Sequence, residues 1–278
     1  MDEVELRGGF VNVVVRQGDA VLRKPGERAG FVHDLLRMLE GWGGAPRFLG
    51  VDADGRERLS FVDGYVAWER PWKAAVTSAG ALRSVGRLVR EFHDLTAGTA
   101  LAGDQEVVCH NDLSPKNTVY TTDGTRAIAF IDWDIAAPGT RIHDVAFICW
   151  QYAELGDLDR VIQQWKALLA GYGPTDLTAL VSTVLWWQSR AADGIDAQAD
   201  AGDPAMQHLR DLDVPKASPE YVARAILDGV EKGEDDIFPD PMSESMADSW
   251  RSSAAKALER QFAALAPEPP KSSARSVA

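Results

Sequence analysis

The feature that most constrains this chain is a histidine–aspartate–asparagine motif followed by a second aspartate, each reached from an apolar run. Glu106-Val107-Val108-Cys109 is a short strand-like run leading into His110-Asn111-Asp112-Leu113-Ser114-Pro115-Lys116-Asn117. Thr118-Val119-Tyr120 leads out, Thr122-Asp123-Gly124-Thr125 carries an Asp-Gly turn signal, and Ala127-Ile128-Ala129-Phe130-Ile131 is a second apolar strand that delivers Asp132. A hairpin of that form returns Asp132 to the side of Asn117. The spacing H-x-D-x4-N puts the aspartate and the asparagine on one loop, where the Asp112 carboxylate can face an incoming hydroxyl and the Asn117 amide oxygen a hard cation. Mg²⁺ takes oxygen ligands and needs only one or two from the protein when phosphates and water supply the rest. Asn117 and Asp132 fill that quota.

The segments HNDLSPKN, FIDWDIAAPGTRIHDVAF and, upstream, LVREFHDL resemble the aminoglycoside phosphotransferase and choline kinase-like family. Weaker similarity runs back through LSFVDG to the amino terminus. The resemblance implies an α+β, bilobal protein-kinase-like fold: a small β-rich nucleotide-binding lobe over residues 1–64 and a larger, mainly helical lobe over 65–265 that carries the catalytic loop and the substrate site. It implies that Asp112 is the catalytic base, that Asn117 and Asp132 are magnesium ligands, and that His110 and Asp144 buttress the loop. The implied reaction is ATP-dependent transfer of a phosphoryl group to a hydroxyl of a small molecule, with an aminoglycoside or another cationic antibiotic as the favoured acceptor. A metabolic kinase of the choline or homoserine type is the alternative enzyme, and a nucleotide-binding module without turnover is the alternative outside enzymology. Trp133 stands where protein kinases have the Phe of D-F-G, and no Gly follows it. That departure favours a small-molecule acceptor over a protein.

Composition agrees with this reading. A chain of 278 residues is long enough for two small cores. The net charge of −13 argues against nucleic acid or an anionic membrane as partner and is compatible with a cationic substrate. Cys109 and Cys149 lie in apolar contexts and are expected to be reduced core residues. No apolar run approaches transmembrane length and MDEVELRGG has no signal-peptide character, so a cytoplasmic location is expected. The sequence is silent on oligomeric state.

In the first lobe, 4–7, 10–16 and 20–24 read as strands, with turns at Gly8-Gly9 and Gln17-Gly18-Asp19. The glycine pair suits either close approach to phosphate or a plain hairpin turn. Residues 31–40 have helical periodicity, with Phe31, Leu35, Met38 and Leu39 on one stripe. Two more strands are expected at 48–51 and 58–62. A kinase fold needs a cation on its third strand to hold the nucleotide phosphates. Arg23 and Lys24 both qualify and point to opposite faces; the resemblance favours Arg23. The acidic partner expected on the next helix is missing, since Val32 or His33 occupies the position, with Asp34 next. Either the cation pairs with Asp34 or no tight ion pair forms. By the resemblance, an adenine ring would meet backbone groups near the Ser60 carbonyl and the Val62 amide, and Gly64 suits a hinge. The pattern does not separate ATP from GTP.

In the second lobe, 79–95 reads as an amphipathic helix with Leu82, Val85, Leu88, Val89 and Phe92 inward. Helices are expected from Asp144 to Ala153, over 158–172 and over 175–192, and a further one over 246–265. Trp150, Trp186 and Trp187 read as core more readily than as a ligand platform. Asp193, Asp196, Asp200 and Asp203 are spaced to share one helix face. They form either an acidic wall for a polyamine-like substrate or a solvated face broken near Gly194 and Gly202. The tail 266–278 is rich in Pro and Ser and is expected to be disordered.

Overall fold

The computed structural model describes residues 3–6, 14–153, 158–203, 206–207 and 247–251. The turn at Gly8-Gly9 and the tail 266–278 lie outside these residues. Of the helix expected over 246–265, the described part is helical at Ala247–Arg251. The chain forms two compact units, residues 1–187 and 188–278, and the second begins within the stretch expected to form the helical lobe. Arg23, Ser60, Val62, Asp112, Asn117 and Asp132 belong to the first unit.

The first unit opens with a five-stranded antiparallel sheet in the order β1-β2-β3-β5-β4, made of Val4–Glu5, Val15–Gln17, Ala20–Arg23, Glu57–Ser60 and Phe48–Val51. β3 and β5 pair in a register that sets Arg23 opposite Glu57 and Ala20 opposite Ser60. Between β3 and β4 lies α1, Ala29–Met38. Its buried face is Val32, Leu35, Leu36 and, just beyond its end, Leu39. Met38, expected inward, is 36 % exposed and Phe31 only half-buried. The true stripe is i, i+3, i+4, i+7 starting one residue later, because the β-sheet covers the face centred on Leu35 and Leu36.

After β5, residues 61–64 lead into a three-stranded sheet β6-β8-β9, made of Tyr65–Val66, Thr118–Tyr120 and Ala127–Phe130. The β8–β9 hairpin is the one expected from the Asp-Gly turn. Asp123 holds that turn by accepting from the Thr125 amide at 3.1 Å and from both flanking threonine hydroxyls. Gly64 is required by close packing: a Cβ there would lie 2.3 Å from the Tyr120 carbonyl oxygen. A second antiparallel pair joins β7, Val107–Cys109, to β10, Ala137–Gly139.

Helices complete the unit. α2 spans Ala79–Thr96, with Ser78 as its N-cap, and buries Leu82, Val85, Val89 and Phe92; Leu88 is partly buried. α3 spans Arg141–Gln151, α4 spans Leu158–Tyr172 and α5 begins at Leu177. α3 starts three residues earlier than the sequence suggested, so Asp144 sits in its first turn rather than at its start. Both cysteines are free and buried. Burial pushes the Cys149 thiol up to about 12, so it is an inert core group. Among the described residues no helix is long and apolar enough to cross a membrane.

α2 and α4 cross at a reciprocal glycine contact. A Cβ on Gly86 would lie 2.0 Å from the Leu168 carbonyl oxygen, and one on Gly171 would lie 2.0 Å from the Arg83 carbonyl oxygen. Backbone meets backbone here, so no side chain can swing away to admit a methyl group. Gly86→Ala is expected to lose about 1–3 kcal/mol or more of stability through overpacking, read as a lower midpoint in urea. Gly30→Ala, on α1 where the new methyl meets nothing within 4 Å, is expected to be neutral or to gain about 0.4–1 kcal/mol.

Candidate active site

The two expected loops meet. The Ile131 amide donates to the Asn117 carbonyl at 2.9 Å, which sets Asp132 two residues past the end of the β8–β9 ladder, where the two loops come together. Asn111 and Asp132 both adopt left-handed backbone, with φ of 66° and 64°. Such conformations cost about 1–3 kcal/mol in residues other than glycine and persist only where the surroundings fix them. Those surroundings can be named.

Asp144, fully buried in the first turn of α3, accepts from the His110 amide at 2.8 Å and the Asn111 amide at 2.9 Å. His93 of α2, also fully buried, reaches the same carboxylate through Nε2 at 3.1 Å and meets the Tyr172 hydroxyl through Nδ1 at 2.9 Å. Burial opposes the charge on Asp144, but the His93 hydrogen bond and the His110 amide outweigh it and hold the carboxyl below its ordinary value. The His110 ring is held neutral by burial. Its Nε2 donates to the Ile131 carbonyl at 3.1 Å and its Nδ1 accepts from the Asp112 amide at 3.3 Å, so one ring ties the two loops together. His93, Cys109 and Asp144 lie close enough to suggest a metal cluster. The Asp144 oxygens are already taken by these donors, so the trio is a buttress.

Asp112 itself is half-buried. Burial raises its pKa; Lys116, with Nζ 3.6 Å from Oδ2, works against that rise. Asn117 is buried and its Nδ2 donates to the Asp112 carbonyl at 2.9 Å and to Asp112 Oδ2 at 2.7 Å. Both partners are acceptors, so the amide orientation is fixed and Oδ1 is the atom left to meet a cation. Asp132 is 46 % exposed beside it.

Trp133 goes the other way. It is buried, donates from Nε1 to the Phe130 carbonyl at 3.0 Å, and packs edge-on against Phe92 and at 4.4 Å from the His110 ring. Its neighbours Asp132 and Asp134 turn toward Arg23. Arg23 Nη1 donates to Asp132 Oδ1 and to Asp134 Oδ2, each at 3.1 Å, and Nη2 also pairs with Asp134. Nε donates to Glu57 Oε1 at 2.5 Å. Lys24 is exposed at the strand end. Burial works against the Arg23 charge, and Asp134, Glu57 and Asp132 together outweigh it. One guanidinium thus faces three carboxylates, which leaves negative charge for a further cation to balance. That balance and the free Asn117 oxygen fit the donor set of Mg²⁺.

Other expectations place differently. Asp34 pairs with Arg37 at the surface, 2.7 Å away, and not with Arg23. The strand acid Glu57, the second loop acid Asp134 and the helix residue His93 were not singled out by the sequence. Ser60 ends β5, with Oγ accepting from the Arg47 amide at 2.8 Å, and Val62 is half-buried in the segment that follows. Of the aromatic trio, Trp150 and Trp187 are partly buried against the core and Trp186 is 45 % exposed. α5 runs unbroken through Gly194 to Asp200, so Asp193, Asp196 and Asp200 share one helix and are exposed. Asp203 lies beyond its end. These four acids belong to the second unit.

The Asp144 buttress carries a pH signature. A carboxyl titrating below its unfolded value of about 3.9 contributes stability that is complete above that value and is lost as pH falls through the lower folded one. Asp144→Asn is expected to lose about 3 kcal/mol in urea unfolding at pH 7, because two backbone amides lose a charged acceptor. The gap to the native chain narrows as pH drops below about 4. A gap that stays constant with pH contradicts this account of the buttress.

Residues 13–180 match the phosphotransferase enzyme family. A trifolitoxin immunity protein of Rhizobium leguminosarum bv. trifolii is 34 % identical over 201 residues, which cover 62 % of this chain and 74 % of that protein. The macrolide 2'-phosphotransferase MphH from Brachybacterium faecium has a similar structure, with a TM-score of 0.56 at 20 % identity, over 77 % of this chain and 92 % of that one. The aminoglycoside phosphotransferase APH(3'')-Id from Streptomyces rimosus, solved with ADP and streptomycin, superposes with a TM-score of 0.50 at 19 % identity, over 66 % and 90 %. The fold is therefore the α+β, bilobal protein-kinase-like fold of small-molecule kinases, and the chain belongs to the phosphotransferase enzyme family.

Proposed function

We propose that this protein is a Mg²⁺-dependent kinase that transfers the γ-phosphoryl group of ATP to a hydroxyl of a small molecule, with an aminoglycoside or another cationic antibiotic as the favoured acceptor. The observation that carries the reading is the Asp112–Asn117–Asp132 arrangement. The carboxylate of Asp112 is oriented by the Asn117 amide at 2.7 Å, while Asn117 Oδ1 and the Asp132 oxygen that Arg23 does not take would receive a cation. Phosphoryl transfer asks the protein for positioning and charge neutralisation more than for covalent chemistry. Asn117 and Asp132 would hold Mg²⁺, which when bound neutralises charge on the nucleotide phosphates. Asp112 would orient the acceptor hydroxyl and take its proton late in the reaction. Its half-buried carboxyl, with a raised pKa and a lysine at hand, suits a base that must stay ionised yet accept a proton.

Arg23 would be the phosphate clamp, and backbone groups at Ser60 and Val62 would meet the base of the nucleotide. In this reading residues 1–64 are the nucleotide-binding lobe and the helical part supplies the acceptor site. The exposed acids Asp193, Asp196 and Asp200 on α5 would attract a cationic acceptor. A relative named for trifolitoxin immunity and phosphotransferases named for macrolide and aminoglycoside support a resistance-type role, in the cytoplasm where nucleotide is available.

Nucleotide consumption across a panel of amine-bearing alcohols, with product identified by mass, tests the reading. Asp112→Ala is expected to lower kcat by about a thousandfold while Mg²⁺–nucleotide binding survives. Asp132→Ala loses the Mg²⁺-dependent part of nucleotide binding as well. Near-normal turnover in Asp112→Ala removes it as the base. The double variant Asp196→Asn, Asp200→Asn is expected to raise KM for the cationic acceptor and leave kcat unchanged; an unmoved KM removes the acidic wall.

A further inference from the structure

We infer that Glu57 of β5, supported by His33 of α1, is the positioning residue for the Arg23 clamp, taking the place of a helix-borne acid. The inference rests on the nucleotide reading above and adds to it the residue that aims the cation. Glu57 is 1 % exposed although its side chain is a carboxyl, and it opens β5, a strand paired on both sides by β3 and β4. Both of its oxygens are occupied: Oε1 by Arg23 Nε at 2.5 Å and Oε2 by His33 Nε2 at 2.8 Å. Strand register makes the first contact unavoidable, since Arg23 and Glu57 are directly opposed across the β3–β5 ladder and so lie on one face.

The geometry of a guanidinium gives the pairing its purpose. Arginine presents its donors as a rigid planar fork. Fixing Nε on Glu57 turns the Nη1 and Nη2 edge toward Asp132 and Asp134, where the phosphates of a Mg²⁺–nucleotide would come to rest. Without Glu57 nothing would hold Nε, and the planar group would be free to turn about its last torsions away from this orientation. A lysine at this position would offer one point charge and could not hold Glu57 and face the loop together.

His33 explains how α1 remains linked to the clamp. It occupies the helix position where a direct acidic partner was expected, and it cannot itself neutralise a guanidinium. Instead it bonds to the far oxygen of Glu57 and stacks on Phe48 of β4 at 3.9 Å between ring centroids. α1 therefore acts on Arg23 at one remove, through a carboxylate rooted in the sheet. Asp34, the next residue, is occupied with Arg37 at the surface.

The test is equilibrium binding of two probes to the full chain: ADP with Mg²⁺, which has phosphates for the clamp, and adenosine, which has none. Glu57→Gln is expected to weaken Mg²⁺–ADP about tenfold or more and to leave adenosine within about twofold, because only the phosphate contact loses its aim. Arg23→Gln is expected to weaken Mg²⁺–ADP at least as much, and adding Glu57→Gln to it to cause no further loss, since the one acts through the other. His33→Phe, which keeps the stack on Phe48 and removes the hydrogen bond, is expected to weaken Mg²⁺–ADP in the same selective way by a smaller factor. Equal loss of both probes in Glu57→Gln, or losses that add in the double variant, would mean a merely structural pair and overturn the inference. So would Mg²⁺–ADP affinity unchanged in Glu57→Gln while the native chain binds it. Should Glu57→Gln fail to fold, His33→Phe decides: selective weakening supports the inference and native affinity overturns it. A native chain that binds neither probe overturns the nucleotide reading itself and this inference with it.

Discussion

A single buried carboxylate fixes the geometry on which the site depends. Asp144 takes the amides of His110 and Asn111 and the ring of His93, so the catalytic-loop candidate and α2 converge on two oxygen atoms of α3. The left-handed turn at Asn111 is held open by these contacts, and it is this turn that brings the Asp112 side chain round toward Asn117. His110 then passes the constraint on to the second loop through the Ile131 carbonyl, and Asp132 is held in its own left-handed conformation one residue later. Neither strained residue is stable by local preference. Each persists because a fully satisfied polar network over-determines it.

The second organising fact is an imbalance of charge. Arg23 is surrounded by Glu57, Asp132 and Asp134, and one positive group does not offset three acids. Glu57 is removed from water and engaged on both oxygens, whereas Asp132 is nearly half exposed. The electrostatic deficit is thus concentrated at the open end, beside the free oxygen of Asn117. This is the feature on which the proposed Mg²⁺–nucleotide reading rests. Trp133, driven into the core between the two loop acids, keeps them both turned outward from it.

The sequence made the hairpin of the candidate site legible because its signals are local. Alternating apolar residues, an Asp-Gly turn and a fixed spacing from Asp112 to Asn117 are all read within thirty residues, and β8, β9 and the loop between them fall where those signals put them. The family followed from the same stretch. What stayed hidden depends on contacts between distant segments. Glu57 looks like an ordinary strand-edge charge until the β3–β5 register sets it against Arg23. The stripe of α1 keeps Leu35 and Leu39 but buries Val32 and Leu36 in place of Phe31 and Met38, because the surface that covers a helix, not its own periodicity, decides which of two adjacent faces is inward. The acids of α5 did lie on an unbroken helix, since Gly194 is tolerated inside it, although their purpose is a matter of chemistry that no periodicity records.

The central claim is that Asn117 and Asp132 together receive the metal of a nucleotide complex beside Asp112. A crystal structure of the full chain with Mg²⁺ and a non-hydrolysable ATP analogue tests it most directly. The account predicts a metal ion about 2.1 Å from Asn117 Oδ1 and from an Asp132 carboxylate oxygen, bridged to the phosphates. A metal held elsewhere, or a nucleotide whose phosphates lie away from this pair, would contradict it.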